Sequence, residues 1–100
     1  MTQTVVEIGT LIVRSQDIRE GRPRIAGTGV TVQRIVGWYK LGLSPEDIAR
    51  RIGHLTLAQV HAALAYYHAN RDEIEAAIRA EQMTADRLQQ RHNQTEEAHR

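Results

Sequence analysis

The segment Pro45-Glu-Asp-Ile-Ala-Arg-Arg-Ile-Gly-His-Leu-Thr-Leu-Ala-Gln-Val-His-Ala-Ala-Leu-Ala-Tyr-Tyr67 decides the fold, because it contains two amphipathic helices and the turn between them. Pro45 suits the first turn of a helix, and Gly53 provides the usual glycine at its end. Thr56, followed three residues later by Gln59, fits a capping box at the start of the second helix. The segment therefore predicts a helix-turn-helix unit.

Apolar residues at helical spacing extend this unit to a three-helix core. A further helix precedes it and ends at Gly42, and its stripe places Trp38 on the flank. The side chains predicted to be buried are Val32, Ile35, Val36, Tyr39 and Leu43 in the stripe of the first helix and just after it, Ile48, Ala49 and Ile52 in the second helix, and Leu57, Val60, Leu64 and Tyr67 in the third.

A fourth helix is predicted from Asn70 or Arg71 onward. Its apolar stripe is narrow, and the other positions are mostly charged or glutamine, which is typical of a helix that lies on a partner. After about Gln90 the sequence is polar and has no cap, so we expect a flexible tail over residues 91–100. The stripe consists of Ile74, Ala77, Ile78, Ala85 and Leu88.

The N-terminal part is predicted to hold a short β segment. Thr4–Ile8 and Leu11–Val13 are rich in aliphatic and β-branched residues, and Val30–Val32 is a last short strand. Between them Ser15–Thr28 is predicted as loop and turn, in which Gly21-Arg-Pro-Arg-Ile-Ala-Gly-Thr28 forms an elbow. The whole predicts one mainly α domain over residues 1–90.

Composition limits the class of function. The chain has 100 residues, a formal net charge of +1 and no cysteine, which excludes disulfides, thiolate metal sites and cysteine nucleophiles. It begins with no signal pattern and contains no apolar run long enough for a membrane span, so we expect a cytoplasmic protein without membrane contact. A chain of this size buries a small core and often gains stability by oligomerising, so we expect a homodimer.

Four arginines and one glutamine are the candidates for contact with nucleic acid. The first 43 residues have an excess of three basic side chains, and clustered positive charge can serve phosphate. The third helix, however, has no arginine or lysine between Arg51 and Arg71, whereas base and phosphate contacts depend chiefly on such side chains. The candidates are Arg22, Arg24, Arg50 and Arg51 for phosphates and Gln59 for a base.

Apolar and aromatic residues define the predicted protein interface. Trp38 lies on the flank of its stripe, and tryptophan is enriched at interface hot spots as well as at core edges. The fourth helix supplies Ile74, Ile78 and Leu88 as anchors for a partner or a second copy.

Catalytic and metal sites are not predicted. His61 and His68 lie two helical turns apart, about 10 Å along the axis, which is too far for one zinc ion. The acidic pairs Glu46/Asp47 and Asp72/Glu73 open helices, where they complement the helix dipole. No nucleophile motif or phosphate-binding loop is present, so we expect neither an enzyme nor a cofactor.

The order of these motifs resembles a known bacterial family. The elbow Gly21–Thr28 and Val30-Thr-Val32 are followed by a helix that ends at Gly42. Leu43-Ser-Pro-Glu-Asp-Ile-Ala49, Leu55-Thr-Leu-Ala-Gln-Val60 and Ala62–Tyr67 come next. Over about residues 8–78 this order is similar to domain-of-unknown-function family four-three-three (DUF433).

The resemblance implies a homeodomain-like core of helix-turn-helix type and a possible dimer. It also implies an antitoxin-like role, because many family members are described as antitoxins encoded beside a PIN-like nuclease. It carries no catalytic residues. The family usually has arginine after Gly-Thr, where this chain has Gly29, so a contact made by that arginine is in question.

These observations favour a non-enzymatic interaction module, an antitoxin-like protein of a bacterial toxin–antitoxin pair that binds a PIN-like toxin and contacts operator DNA for autoregulation. Two alternatives stay open: a transcriptional regulator that binds DNA by itself, and a structural dimeric scaffold.

Overall fold

The computed structural model describes residues 5–98, apart from the side chains of residues 20 and 94–98. The fold is mainly helical, as predicted. Its helices are α1 (Val32–Lys40), α2 (Pro45–Ile52), α3 (Leu57–Ala69) and α4 (Arg71–Ala98), and its strands are β1 (Ile12–Val13) and β2 (Arg24–Ile25).

The helix ends follow the predicted caps. The Ser44 hydroxyl accepts a hydrogen bond from the Asp47 amide, and Gly53 ends α2 with a φ of +79°, a conformation that glycine adopts without strain. At the start of α3 the Thr56 hydroxyl accepts from the Gln59 amide, and the Gln59 side chain accepts from the Thr56 amide. Both halves of the capping box are therefore present.

The core lies where α1, α2 and α3 meet, and most of the predicted stripes are buried in it. Two predicted core residues are wrong: Tyr39 is 41% exposed and Leu57 is 42% exposed. Helix α4 lies beside α1 on the side of Trp38, so Trp38 packs against the core in place of Tyr39. Leu57 is the first residue of α3, before the helix reaches the core. The buried core residues include Ile25, Val32, Ile35, Val36, Ile48, Val60, Leu64, Tyr67 and Ile74.

The β segment is smaller than predicted. Strands β1 and β2 pair antiparallel, with Ile12 opposite Ile25, and both lie against α3. In the first predicted strand, residues 5–7 are irregular and Ile8–Thr10 form a 3-10 turn, while Thr4 lies outside the described residues. Val5 and its apolar neighbours are exposed and meet no strand to pair with, and β-branched composition needs such a partner.

The elbow also differs from its prediction. Residues predicted as loop contain β2 and a 3-10 turn at Arg19–Gly21. The predicted strand Val30–Val32 is reduced to a single bridge between Thr31 and Arg24, because Val32 already begins α1.

Helix α4 continues far beyond the core. Only Asn70 separates it from α3, and the Asn70 side-chain amide donates to the Tyr66 carbonyl oxygen at 3.1 Å. Near its start Ile74 is 1% exposed, and ion pairs join Glu73 to Arg14 and Glu75 to Lys40.

From residue 81 onward every described side chain of α4 is exposed, and we call residues 81–98 the arm. The longest dimension of the molecule is 71 Å. The arm is helical to Ala98, and whether residues 91–100 are flexible stays a prediction.

Candidate interaction site

A groove of about 590 Å³ lies between α1, the base of the arm and the loop before α1. Its lining surface is more apolar than polar, and Gly37 and Ala85 contribute little or no side chain to it. The groove is lined by Arg19, Arg22, Gly29, Thr31, Gln33, Arg34, Gly37, Trp38, Leu41, Ile78, Glu81, Gln82 and Ala85.

Trp38 is the aromatic wall of the groove. It projects from α1 and packs partly on the core, and the guanidinium carbon of Arg34 lies 5.2 Å from the centre of its ring. This distance permits a cation–π interaction, which fixes the arginine at the rim. One side chain thus supplies apolar contact area while its neighbour supplies positive charge.

The arm is joined to α1 at the groove by one polar contact. The Gln33 side-chain amide donates to a Glu81 carboxylate oxygen at 2.5 Å. Gln33 is buried although it is polar, and this hydrogen bond satisfies its amide group. The contact therefore sets where the arm leaves the core.

Arg19 also lines the groove. Its Nε donates to the Gly29 carbonyl oxygen at 3.0 Å, and its backbone has a φ of +50°, which is uncommon for a residue other than glycine. Position 29, where the chain departs from the pattern of the family that it resembles, thus contributes a carbonyl group and room for this guanidinium.

A second groove of about 400 Å³ continues along the arm. It lies between Arg22 and one face of α4, where Thr84, Ala85 and Leu88 form its wall. Leu88 is 60% exposed, so a large apolar side chain borders open space.

The structure brings together part of the predicted interface. Trp38 and Ile78 line the first groove, Arg22 lines both grooves, and Leu88 lines the second. Ile74 is buried inside the chain by the core, so it is not available as an anchor for a partner.

The predicted nucleic-acid residues are not brought together. Arg24 is 7% exposed and donates to the Thr28 carbonyl oxygen and the Ser15 hydroxyl, so it holds the elbow together. Gln59 is engaged in the cap of α3. Arg50 and Arg51 are exposed on α2, and Arg50 pairs with Asp47 of the same helix. Arg22 lies elsewhere, where it lines both grooves. The outward positions of α3 are Ala58, His61, Ala65 and His68.

Sequence reasoning missed several groove residues. Arg19 lies in the loop before α1, whereas Gln33 lies in α1 and Leu41 directly follows it, and all three line the groove beside α4. The excess of arginine in the first 43 residues was the signal for Arg19 and Arg34. No periodicity marks Leu41, because it follows the last residue of α1.

Ionisable groups concentrate where α4 leaves the core. Hydrogen bonds from Lys40 and then Tyr67 lower the pKa of Glu75 below its ordinary value. The Tyr66 hydroxyl, with Glu73, raises the pKa of Arg14. These groups stabilise the base of α4 and do not face the groove.

The part of the chain that the structure describes contains neither a metal-binding cluster nor a membrane-spanning helix. Across the described residues, no three histidine, aspartate or glutamate side chains come close enough to share a metal ion, and His99 lies outside that range. None of the helices within residues 5–98 is both long and apolar enough to cross a bilayer.

Comparison with known proteins identifies the family. The sequence pattern of DUF433, a protein family of unknown function, matches residues 12–67, more than half of the chain. The chain is similar to the crystal structure of a DUF433 member protein from Anabaena variabilis ATCC 29413, with 25% identity and a TM-score of 0.65 over 69% of this chain and 68% of that one. No curated protein matches the chain. The chain belongs to the DUF433 family.

Proposed function

We propose that this protein is a non-enzymatic interaction module that acts as an antitoxin-like partner of another protein. The observation that carries the proposal is the arm, because its described side chains are all exposed although it extends from a well-packed core. A helix of about 27 Å that is exposed along its described length and is held to α1 at Glu81 is suited to contact another polypeptide.

The outward face of the arm supplies the partner surface. Met83 is 55% exposed and lies half a helical turn away from the face that carries Ala85 and Leu88. Methionine adapts its shape to irregular apolar surfaces. Arg79 and Arg87, four residues on either side, and Asp86, three residues after it, surround Met83 with charged side chains, so an apolar centre with a charged rim results.

The hydrogen bonds made by the polar groups of the groove favour a binding site over a catalytic site. Glu81 is engaged by Gln33, and the Nε of Arg19 by the Gly29 carbonyl. Groups held in this way position the arm, whereas a general acid or base must be free to exchange a proton with a substrate.

The resemblance described above supports the choice of partner class. Family members encoded beside a PIN-like nuclease make such a nuclease the first partner to test. Contact with operator DNA for autoregulation has narrower support, from the exposed Arg50 and Arg51 alone. Binding of operator DNA that weakens steeply as the salt concentration rises would support the autoregulatory part of the proposal.

The test is coexpression with the product of the adjacent reading frame. We expect the two proteins to purify together and the nuclease activity of the partner to fall. Met83→Asp in the full chain is expected to weaken the complex at least tenfold. The control is Ala76→Asp, which adds the same charge at an exposed α4 position before the arm.

If the adjacent product neither purifies with the wild-type chain nor loses activity in its presence, the antitoxin-like function is wrong. If Met83→Asp and Ala76→Asp bind equally well, the outward face is not the surface involved.

A further inference from the structure

The first groove has an excess of positive charge. Arg19, Arg22 and Arg34 line it, and among the described residues that line it Glu81 alone supplies a carboxylate. One oxygen of that carboxylate already accepts a hydrogen bond from the Gln33 amide. The whole chain has a net charge of only +1, so the excess is local. A concave site lined mainly by one sign of charge concentrates ions of the opposite sign.

Two of these arginines keep hydrogen-bond donors for an anion. The bond from Arg19 to the Gly29 carbonyl uses its Nε, which is one of five N–H donors in a guanidinium. Arg34 contacts the face of the Trp38 ring, and this contact is electrostatic and does not use an N–H bond. The terminal amino groups of both side chains are therefore able to donate. A guanidinium binds a carboxylate through two parallel hydrogen bonds.

The rest of the groove is suited to an apolar group. Trp38, Leu41 and Ile78 line it, and Leu41 is 77% exposed. Apolar surface of this kind gains from being covered, because its removal from water is favourable. An inorganic ion would leave these side chains in water, whereas an anion with an apolar body would cover them.

The size of the groove agrees with a small molecule. Its volume is about 590 Å³. Sites for small molecules typically have volumes of about 300–1,000 Å³, and they combine apolar walls with a few polar groups that fix the orientation of the ligand. An indole wall beside two arginines is such a combination.

We propose that the first groove binds a small organic acid. Arg19 and Arg34 hold its carboxylate, and its apolar or aromatic body lies against Trp38. Because Ala85 of the arm also lines the groove, the bound acid joins the arm to α1 and to the loop before α1. The proposal does not rest on the antitoxin-like function, since neither Met83 nor a protein partner takes part in it.

The probes are 4-phenylbutyrate and its uncharged counterpart 4-phenylbutyramide, added to the full chain. Trp38 is the only tryptophan, so the single indole N–H signal in the NMR spectrum reports binding at the groove. A Kd of roughly 1 mM is expected for an acid of about twelve heavy atoms. The amide keeps the body but loses the charge, so we expect it to bind at least fivefold more weakly.

Two matched pairs of variants locate the site. Arg34→Gln is expected to weaken binding of 4-phenylbutyrate at least fivefold, whereas Arg51→Gln, which removes the same charge from an exposed position on α2, should change it less than twofold. Ala85→Glu places a carboxylate in the groove and should weaken binding to a similar extent. Its control is Ala76→Glu, at an exposed α4 position outside the groove lining.

Three results would overturn the proposal. The first is an indole signal that does not move at a 4-phenylbutyrate concentration of about twenty times the expected Kd. The second is equal affinity for the acid and the amide, or equal affinity of the two variants in either pair. The third is an equal response to inorganic phosphate, because the apolar body would then contribute nothing.

Discussion

Arg19 rests against Gly29: its Nε donates to the Gly29 carbonyl oxygen at 3.0 Å, and a Cβ on residue 29 would lie 3.2 Å from its Nη2. Gly29, directly after the elbow, is therefore crowded, while Gly27 within the elbow has open space around it. Gly27, however, has a φ of +78°, which only glycine adopts without strain.

The two glycines give a matched pair of variants. Gly27→Ala is expected to lower the free energy of unfolding by about 1 kcal/mol, because the strain is in the backbone and cannot be relieved. Gly29→Ala is expected to cost less than about 0.5 kcal/mol, since the end of a flexible arginine moves aside. Urea unfolding followed by circular dichroism measures both. A larger loss for Gly29→Ala would show that the Arg19 contact is rigid.

Arg24 is expected to stabilise the elbow through its two hydrogen bonds. Arg24→Met keeps most of the apolar length but leaves the Thr28 carbonyl and the Ser15 hydroxyl without this donor, so we expect a loss of about 1–3 kcal/mol in the free energy of unfolding. Arg24→Lys is expected to recover only part of it, because a single ammonium group cannot reproduce the planar fork. Exposed Arg51→Met serves as the control. Equal stability of the Arg24 and Arg51 variants would contradict the structural role of Arg24.

Helix α4 is expected to divide into a stabilising base and an arm that adds little to the stability of the monomer. Ile74→Ala should cost about 2–5 kcal/mol, as for other large buried residues truncated to alanine. Leu88→Ala should change the unfolding free energy by less than about 0.5 kcal/mol at concentrations below 1 µM. The same urea titration compares them. A large loss for Leu88→Ala under these conditions would mean that the arm packs on its own chain.

The base of α4 should weaken in acid. The folded state lowers the pKa of Glu75, so the stability it contributes is fully present above the unfolded pKa of about 4.3 and disappears as the pH falls through the lower folded value. The melting temperature of Glu75→Gln should therefore lie below that of the wild type at pH 7 and approach it below about pH 4. Glu46→Gln, exposed on α2, controls for the general effect of acid. A gap that persists unchanged at pH 3 would exclude the Lys40 and Tyr67 contacts as its cause.

Local signals account for the parts of the fold that the sequence predicted. Caps and glycines act within a few residues, so Ser44, Gly53 and Thr56 located the ends of α2 and α3. The strands were less predictable, because Val5 and Val6 have strand-forming composition but meet no strand to pair with. Tyr39 and Trp38 exchanged roles because the position of α4 selects which side of α1 is covered.

The candidate site also contains some residues that local signals predict and some that depend on distant contacts. Trp38, Ile78 and Leu88 were recognisable from residue type and helical spacing. The contacts of Gln33 with Glu81 and of Arg19 with Gly29 join residues 48 and 10 positions apart, and spacing along the chain contains no sign of either. The roles of Arg24 and Gln59 toward nucleic acid stay predictions, and their local hydrogen bonds use groups that a ligand would need.

Because a single residue separates α3 from α4, the whole of α4 can act as a lever. Asn70 lies at the pivot, and 28 residues of helix extend from it over about 42 Å. The ion pairs of Glu73 and Glu75 hold this lever within its first two turns. A rotation of about 10° at Asn70 would therefore displace the far end by roughly 7 Å, nearly the distance between two packed helices. Small changes at the pivot would decide whether the far end of the arm meets its target or misses it.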